Sequence, residues 1–85
     1  MIEFNYTIKD QLGLHARPVS KLVKILEKYN IKVTIIKGGG SAQADHLLAL
    51  MQLSVKKGDT ITVKIEGPDE ESAEKEIETF FHKNL

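Results

Sequence analysis

The sequence predicts a two-layer α+β sandwich whose elements follow the order β-α-β-β-α-β-α. Segments with an apolar residue at every second position alternate with segments of helical apolar spacing. Two predicted strands are consecutive and every element has one apolar face, so we expect an antiparallel or mixed sheet with all helices on one side. Eighty-five residues support one domain, residues 1–85, around a single core.

The first half of the chain contains a strand, a helix and a hairpin. Apolar and polar residues alternate over residues 2–8, which predicts a strand. From Pro18 onward apolar residues recur at helical spacing, and proline suits a first helical turn, so a helix is predicted over about 16–28. Alternation returns over residues 31–35. Three glycines then supply a turn, and a weaker strand follows at about 41–44.

The second half contains a short helix, a strand and a final helix. Residues 46–53 are rich in leucine and long enough for two helical turns packed on the body. After a turn at residues 57–59, alternation over residues 60–66 predicts the last strand. Asp69 is predicted to be the N-cap of a final helix with acidic residues in its positive first turn. Its apolar stripe consists of Ala73, Ile77, Phe80 and Phe81.

The composition excludes several classes of protein. A chain without cysteine has no disulfide, no cysteine-ligated zinc and no thiol nucleophile. No apolar run is long enough to cross a bilayer or to form a secretory signal, so we expect a cytoplasmic protein with no membrane insertion. Twelve basic and 12 acidic residues give zero net charge, which argues against nucleic-acid binding. The three histidines are too scattered to predict a metal site, and we expect no cofactor.

His15 is the candidate for chemistry. It directly precedes the first predicted helix, where free backbone N–H groups favour an anion. Histidine caps a helix poorly, whereas an imidazole in this place can attack a phosphoryl group. Arg17 and the positive helix end favour a neutral ring and would then stabilise the dianionic product. From the residues alone, an exposed turn histidine without chemistry is equally compatible.

The charge is unevenly distributed along the chain. Residues 1–37 carry seven basic and three acidic side chains, whereas residues 66–85 carry two and seven. Four basic residues at steps of four, three and four form one stripe of the first helix, opposite its apolar face. This stripe, here called the basic ridge, consists of Arg17, Lys21, Lys24 and Lys28. It would steer an acidic partner toward His15, although solvated lysines explain it as well.

The segment Gly13-Leu14-His15-Ala16-Arg17-Pro18 resembles the active-site signature of the HPr family. These proteins are the histidine-containing phosphocarriers of the bacterial phosphoenolpyruvate-dependent sugar phosphotransferase system. The similarity covers essentially the whole chain, including the Lys57-Gly58 turn and the Gly67-x-Asp69 start of the last helix. It implies an open-faced sandwich with a four-stranded antiparallel sheet and three helices on one face.

The resemblance also implies a function and a set of residues. His15 would accept a phosphoryl group on Nδ1 from enzyme I and pass it to the A domain of a sugar-specific enzyme II. Arg17 and the backbone N–H groups of Ala16 and Arg17 would bind that group, and Pro18 would help to fix the helix start. The chain would then be a monomeric carrier rather than an enzyme. Docking would use Ser20, Lys21, Lys24, Leu47, Leu48 and Met51, whereas Leu50 and Leu53 are predicted to pack in the core.

His46 departs from the family pattern. In many relatives this position, at the head of the short helix, is a serine that a kinase phosphorylates. Histidine has no hydroxyl, so we expect this regulation to be absent, and Ser41 and Ser54 are too displaced to replace it. Asp45 precedes His46 and is predicted to cap the short helix, although it could also mimic a phosphate.

Three other functions remain open. A specialised paralogue could serve a nitrogen-regulatory or dihydroxyacetone-kinase pathway, and His46 gives this alternative some support. A regulatory interaction module would not carry phosphate, but His15 and its neighbours Arg17 and Pro18 are all present, which favours a carrier. A nucleic-acid-binding domain would need net positive charge and exposed aromatic residues. The aromatic residues predicted to lie in the core are Phe4, Tyr6, Phe80 and Phe81.

Overall fold

Seven elements follow one another in the order β-α-β-β-α-β-α, as predicted, in a computed structural model that describes residues 1–85. The strands are β1 (Ile2–Thr7), β2 (Lys32–Lys37), β3 (Gly40–Gln43) and β4 (Thr60–Glu66). The helices are α1 (Ala16–Leu26), α2 (Leu47–Gln52) and α3 (Glu70–Asn84).

The sheet is antiparallel throughout, with strand order β1-β4-β2-β3. β4 lies between β1 and β2, and its Ile65 is opposite both Ile2 and Val33. β2 and β3 form a hairpin through a turn at Gly38 and Gly39, as predicted. The sequence pattern left open whether the sheet is antiparallel or mixed. Every strand pair is antiparallel, so the sheet is not mixed.

The core lies between the helices and one face of the sheet. In β4, the inward side chains of Ile61, Val63 and Ile65 are almost fully buried, whereas the alternating residues are not. Helix α3 covers them with Ile77 and Phe81, which are both 0% exposed. The Phe81 ring packs edge-on against Phe4, with the ring centroids 5.8 Å apart. The apolar side chains that alternate along the strands and those at helical spacing in α3 therefore pack into one core, as predicted.

Helix α1 ends earlier than the sequence predicts. The predicted end was about Lys28, but the helix ends at Leu26. The amides of Lys28 and Tyr29 donate to carbonyls three residues back, Ile25 at 3.1 Å and Leu26 at 3.2 Å, so the chain tightens into a turn.

Asp69 occupies the N-cap position of α3 but does not cap it with its side chain. Its carboxylate instead accepts the backbone N–H of Asn30 at 2.7 Å, which ties the start of α3 to the segment after α1. The predicted position is confirmed and the predicted capping bond is wrong. The neighbouring Glu70 closes the turn before the helix, since its Oε1 accepts the N–H of Gly67 at 3.2 Å.

None of the three helices combines the length and the apolar character that crossing a lipid bilayer requires.

Candidate functional site

His15 is the N-cap residue of α1, as the sequence predicts. Its backbone is extended, with φ −135° and ψ 174°, and its side chain makes no capping hydrogen bond. The first helical bond runs from the N–H of Val19 to the His15 carbonyl, at 3.2 Å. The N–H groups of Ala16 and Arg17 therefore have no partner, and Pro18 has no N–H to satisfy. The residue that carries the imidazole thus directly precedes two backbone N–H groups that have no partner within the protein. Such N–H groups at a helix start favour an anion.

The loop before His15 is attached to the segment that follows α2. The N–H of Leu14 donates to the carbonyl of Val55 at 3.0 Å, and the Leu14 side chain is buried. Gly13 has φ +68°, and a Cβ placed on it would lie 2.3 Å from the same Val55 oxygen. Only glycine fits this close approach. The position of His15 thus depends on a contact with a residue 40 positions later in the sequence.

Asp10 is a site residue that the sequence analysis missed. Its Oδ1 lies 3.7 Å from the Nε2 of His15. The same oxygen accepts the N–H of Leu12 at 2.8 Å, and the N–H of Asp10 donates to the Leu85 carbonyl at 2.9 Å. No sequence pattern pairs Asp10 with His15, because the turn between them brings the two side chains together.

A shallow depression surrounds the His15 ring, whose side chain is 28% exposed. Its lining residues are Asp10, Leu12, His15, Arg17, Pro18, Lys21, Lys83 and Asn84. Three of these side chains are basic and one is acidic, so the depression favours a negatively charged group. Two lining residues were not predicted from the sequence. Leu12 is 72% exposed, and Lys83 is brought to the site by the last turn of α3. Lys83 carried no local signal because it lies 68 positions after His15 in the sequence and only the fold brings the two together.

The basic ridge is shorter than predicted. Arg17, Lys21 and Lys24 are exposed and form no ion pair, and Ser20 between them is exposed too. Lys28 instead donates to Oε2 of Glu76 on α3 at 2.5 Å. The acidic helix α3 therefore packs beside the end of the ridge.

Glu76 binds a second donor at the end of the ridge. The Tyr29 hydroxyl donates to its Oε1 at 2.6 Å. The hydrogen bonds from Lys28 and Tyr29 hold the pKa of Glu76 below its usual range. The ion pair with Glu76 also raises the pKa of Lys28. Lys28 is therefore committed within the fold, and the free ridge consists of Arg17, Lys21 and Lys24.

Helix α2 presents an exposed apolar patch. Leu48 is 79% exposed and Leu47 is 41% exposed, and Met51 is half-buried. On the inner side of the helix Leu50 is fully buried, as predicted, whereas Leu53 is only half-buried against the core. Leu47, Leu48 and Met51, here called the apolar patch, are accessible as a docking role requires.

His46 is the N-cap residue of α2, and its side chain is 60% exposed. Neither His46 nor Asp45 donates or accepts a capping hydrogen bond, so the prediction that Asp45 caps this helix is wrong. The Asp45 carboxylate lies beside the ring instead, with Oδ1 3.7 Å from Nε2. No group of three or more His, Asp or Glu side chains that could hold a metal ion occurs in the protein.

Comparison with known proteins places these observations in a family. Residues 2–83 match the family described as "PTS HPr component phosphorylation site". The chain is 33% identical over 85 residues to the phosphocarrier protein HPr of Xylella fastidiosa, covering 100% of this chain and 96% of that protein. It is 36% identical over 72 residues to the phosphocarrier protein NPr of Shewanella violacea, covering 85% and 79%.

The fold agrees with the sequence comparison. The solved structure of a mycoplasma histidine-containing phosphocarrier protein superimposes with a TM-score of 0.84 at 32% identity, covering 93% of this chain and 90% of that one. The relatives in sequence are named phosphocarrier proteins, not enzymes. The match covers nearly the whole chain and includes the segment that carries His15, so the protein belongs to the HPr family of the phosphotransferase system.

Proposed function

We propose that this protein is a phosphoryl carrier that accepts the phosphoryl group of enzyme I on His15 and passes it to the A domain of a sugar-specific enzyme II. The observation that carries this proposal is the imidazole at the start of α1, beside the unpartnered N–H groups of Ala16 and Arg17. Family membership supports the same chemistry. No cofactor is needed, because the reacting nitrogen is a side chain of the chain itself.

The transfer needs only positioning and charge. The lone pair of Nδ1 of His15 attacks the phosphorus of the donor's phosphoryl group, and the bond between that phosphorus and the donor breaks with its electron pair returning to the donor. The N–H groups of Ala16 and Arg17 bind the phosphoryl oxygens, and the Arg17 guanidinium neutralises part of their charge. Pro18 starts the helix without adding a competing donor. Passing the group to an acceptor is the same step in reverse.

Two surfaces would bind the partners. Ser20, Lys21 and Lys24 form a polar and basic strip on α1. The apolar patch on α2 adds Leu47, Leu48 and Met51. Leucine and methionine side chains adapt to more than one partner, which suits a surface that meets enzyme I and an A domain in turn. We expect a cytoplasmic protein. We also expect a monomer, because a dimer through this face would block both partners. Light scattering during size-exclusion chromatography measures the oligomeric state.

Phosphorylation with enzyme I and phosphoenolpyruvate tests the carrier role. The expected product is an acid-labile adduct at His15, detected by intact mass and by loss of the label in acid. His15→Ala should fold normally and remain unlabelled, whereas His46→Ala should be labelled like the wild type because its ring lies outside the depression. Absence of label in the wild type, with an enzyme I that phosphorylates another HPr, would exclude the proposal.

A specialised carrier is the second candidate. His46 stands where many relatives have a regulatory serine, so we expect a serine kinase of that system to leave this chain unmodified. The chemistry at His15 would be the same, with a nitrogen-regulatory or dihydroxyacetone-kinase pathway as destination. Rates of transfer to acceptors of each class decide between the two candidates. A purely regulatory module predicts no transfer to any of them.

A further inference from the structure

The carboxylate of Asp10 is the acidic group that lies within ion-pair distance of the ring of His15. We propose that Asp10 is a positioning residue, which keeps the ring proton on Nε2 and thereby leaves Nδ1 as the free, nucleophilic nitrogen. The inference rests on the proposed function of His15 as a phosphoryl acceptor. It supplies a physical reason, within this chain, for the choice between the two ring nitrogens.

The direction of the effect follows from the geometry. A neutral imidazole carries its proton on one nitrogen and a lone pair on the other. Asp10 Oδ1 lies 3.7 Å from Nε2, which is too long for a hydrogen bond, so the carboxylate acts through its charge. A proton on Nε2 places the positive end of the N–H dipole toward the carboxylate, whereas a lone pair there would be repelled. Nδ1 has no hydrogen-bond partner in the protein.

Asp10 is held where it can exert this effect. Its Oδ1 accepts the Leu12 N–H at 2.8 Å, and its own carbonyl accepts the Gly13 N–H at 3.0 Å. Both bonds close the turn that leads to His15. The basic residues that line the depression are Arg17, Lys21 and Lys83, and none of them lies within ion-pair distance of Asp10. The His15 ring is therefore the one basic group within ion-pair distance of this carboxylate.

The same contact strengthens during the reaction. When Nδ1 forms its bond to phosphorus and the donor bond breaks, the proton stays on Nε2 and the ring becomes a phosphoryl-imidazolium cation. The positive charge then faces the carboxylate of Asp10, which stabilises the product and the transition state that leads to it. Both side chains are about one-third exposed, so water screens part of this attraction.

Asp10→Asn tests the proposal because the amide oxygen can still accept the Leu12 N–H while the charge is lost. Nitrogen-15 shifts of the His15 ring at high pH report the tautomer directly and need no partner protein. We expect the wild type to carry the proton on Nε2 and the variant to gain a larger share of the Nδ1–H form. The matched control is Asp45→Asn. In the wild type the Asp45 carboxylate lies at the same distance from the Nε2 of His46, and it lies outside the depression.

The rate of phosphorylation by phosphoramidate, a small phosphoryl donor that needs no docking surface, gives the second readout. We expect Asp10→Asn to react about tenfold more slowly than the wild type, which corresponds to about 1.4 kcal/mol of barrier, and Asp45→Asn to react normally. The Gly13 and Leu14 amide signals report whether the turn is intact.

Each failure has its own signature. An Nδ1–H tautomer in the wild type, an unchanged tautomer in Asp10→Asn, or an unchanged rate would each overturn the role of Asp10. A wild type that phosphoramidate and enzyme I both leave unlabelled would overturn the proposed function instead, and the tautomer of the ring would still decide whether Asp10 orients it.

Discussion

Replacing Gly13 with alanine probes the attachment of the His15 loop to the rest of the fold. The substitution adds a single methyl group two residues before the proposed phosphoryl acceptor. That Cβ would lie 2.3 Å from the Val55 oxygen and 2.8 Å from the Cα of Lys56, so the backbone has to move by about 1 Å to reach ordinary contact. The Val55 oxygen also accepts the Leu14 N–H, so the movement weakens the bond that holds the loop.

The expected cost can be worked from these contacts. A non-glycine residue at φ +68° loses about 1 kcal/mol from steric crowding of its Cβ. Weakening the bond between Leu14 and Val55 costs about 1 kcal/mol more. We therefore expect Gly13→Ala to lower the free energy of unfolding by about 2 kcal/mol. Misplacing a reacting group by about 1 Å can cost about a hundredfold in rate, so phosphorylation of His15 should also slow by that order.

Gly38→Ala is the matched control. Gly38 has a similar φ of +57°, but a Cβ there meets nothing within 4 Å, and the residue lies in the β2–β3 turn. It should lose only about 1 kcal/mol and should be phosphorylated at the wild-type rate. Urea unfolding gives the stabilities, and a time course with enzyme I gives the rates. Equal losses of stability would show that the contact with Val55 has no energetic effect, and a wild-type rate in Gly13→Ala would show that the loop does not position His15.

Other residues give further tests. Because hydrogen bonds from Lys28 and Tyr29 lower the pKa of Glu76, this carboxylate stabilises the fold above its ordinary pKa of 4.5, and the contribution is lost as the pH falls through the lowered value. Urea unfolding at pH 7 and pH 3 should therefore show a smaller loss on acidification in Glu76→Gln than in the wild type. Leu48→Ser should raise the KM of the protein as a substrate of enzyme I by about tenfold at unchanged stability, with no effect on labelling by phosphoramidate. Arg17→Ala should slow phosphorylation by both donors, by about ten- to a hundredfold, and leave the unfolding curve unchanged, since its side chain is exposed and forms no hydrogen bond or ion pair within the fold.

Local patterns were sufficient to predict the elements of this fold. Alternation placed β4 over residues 60–66, where the structure has it, because each inward residue of that strand is buried in the same core. His15 at the start of α1 was also predictable, since a helix start depends on a few neighbouring residues. The end of α1 was less predictable from the sequence, because the turn at Lys28 and Tyr29 is stabilised from outside the helix by Glu76.

The parts that could not be predicted depend on contacts between distant segments. Lys28 reads as one more basic residue of an exposed stripe, and only the packing of α1 beside α3 shows that it is paired. Asp69 is of a residue type that commonly caps helices, yet its carboxylate accepts the backbone N–H of Asn30 instead. Asp10 and Lys83 reach the depression through a turn and through the far end of the last helix. Their place in the site follows from tertiary structure alone.

The strand order also sets when the site can form during synthesis. β1 pairs only with β4, and the loop that carries His15 is attached to Val55, so the N-terminal quarter of the chain has no partner until residues 55–66 have left the ribosome. Such distant pairings are the slow part of folding in small domains. A nascent chain that has emerged only through β3 therefore carries the sequence around His15 but not its surroundings, and the proposed acceptor His15 obtains those surroundings late, after β4 and the end of α3 have emerged.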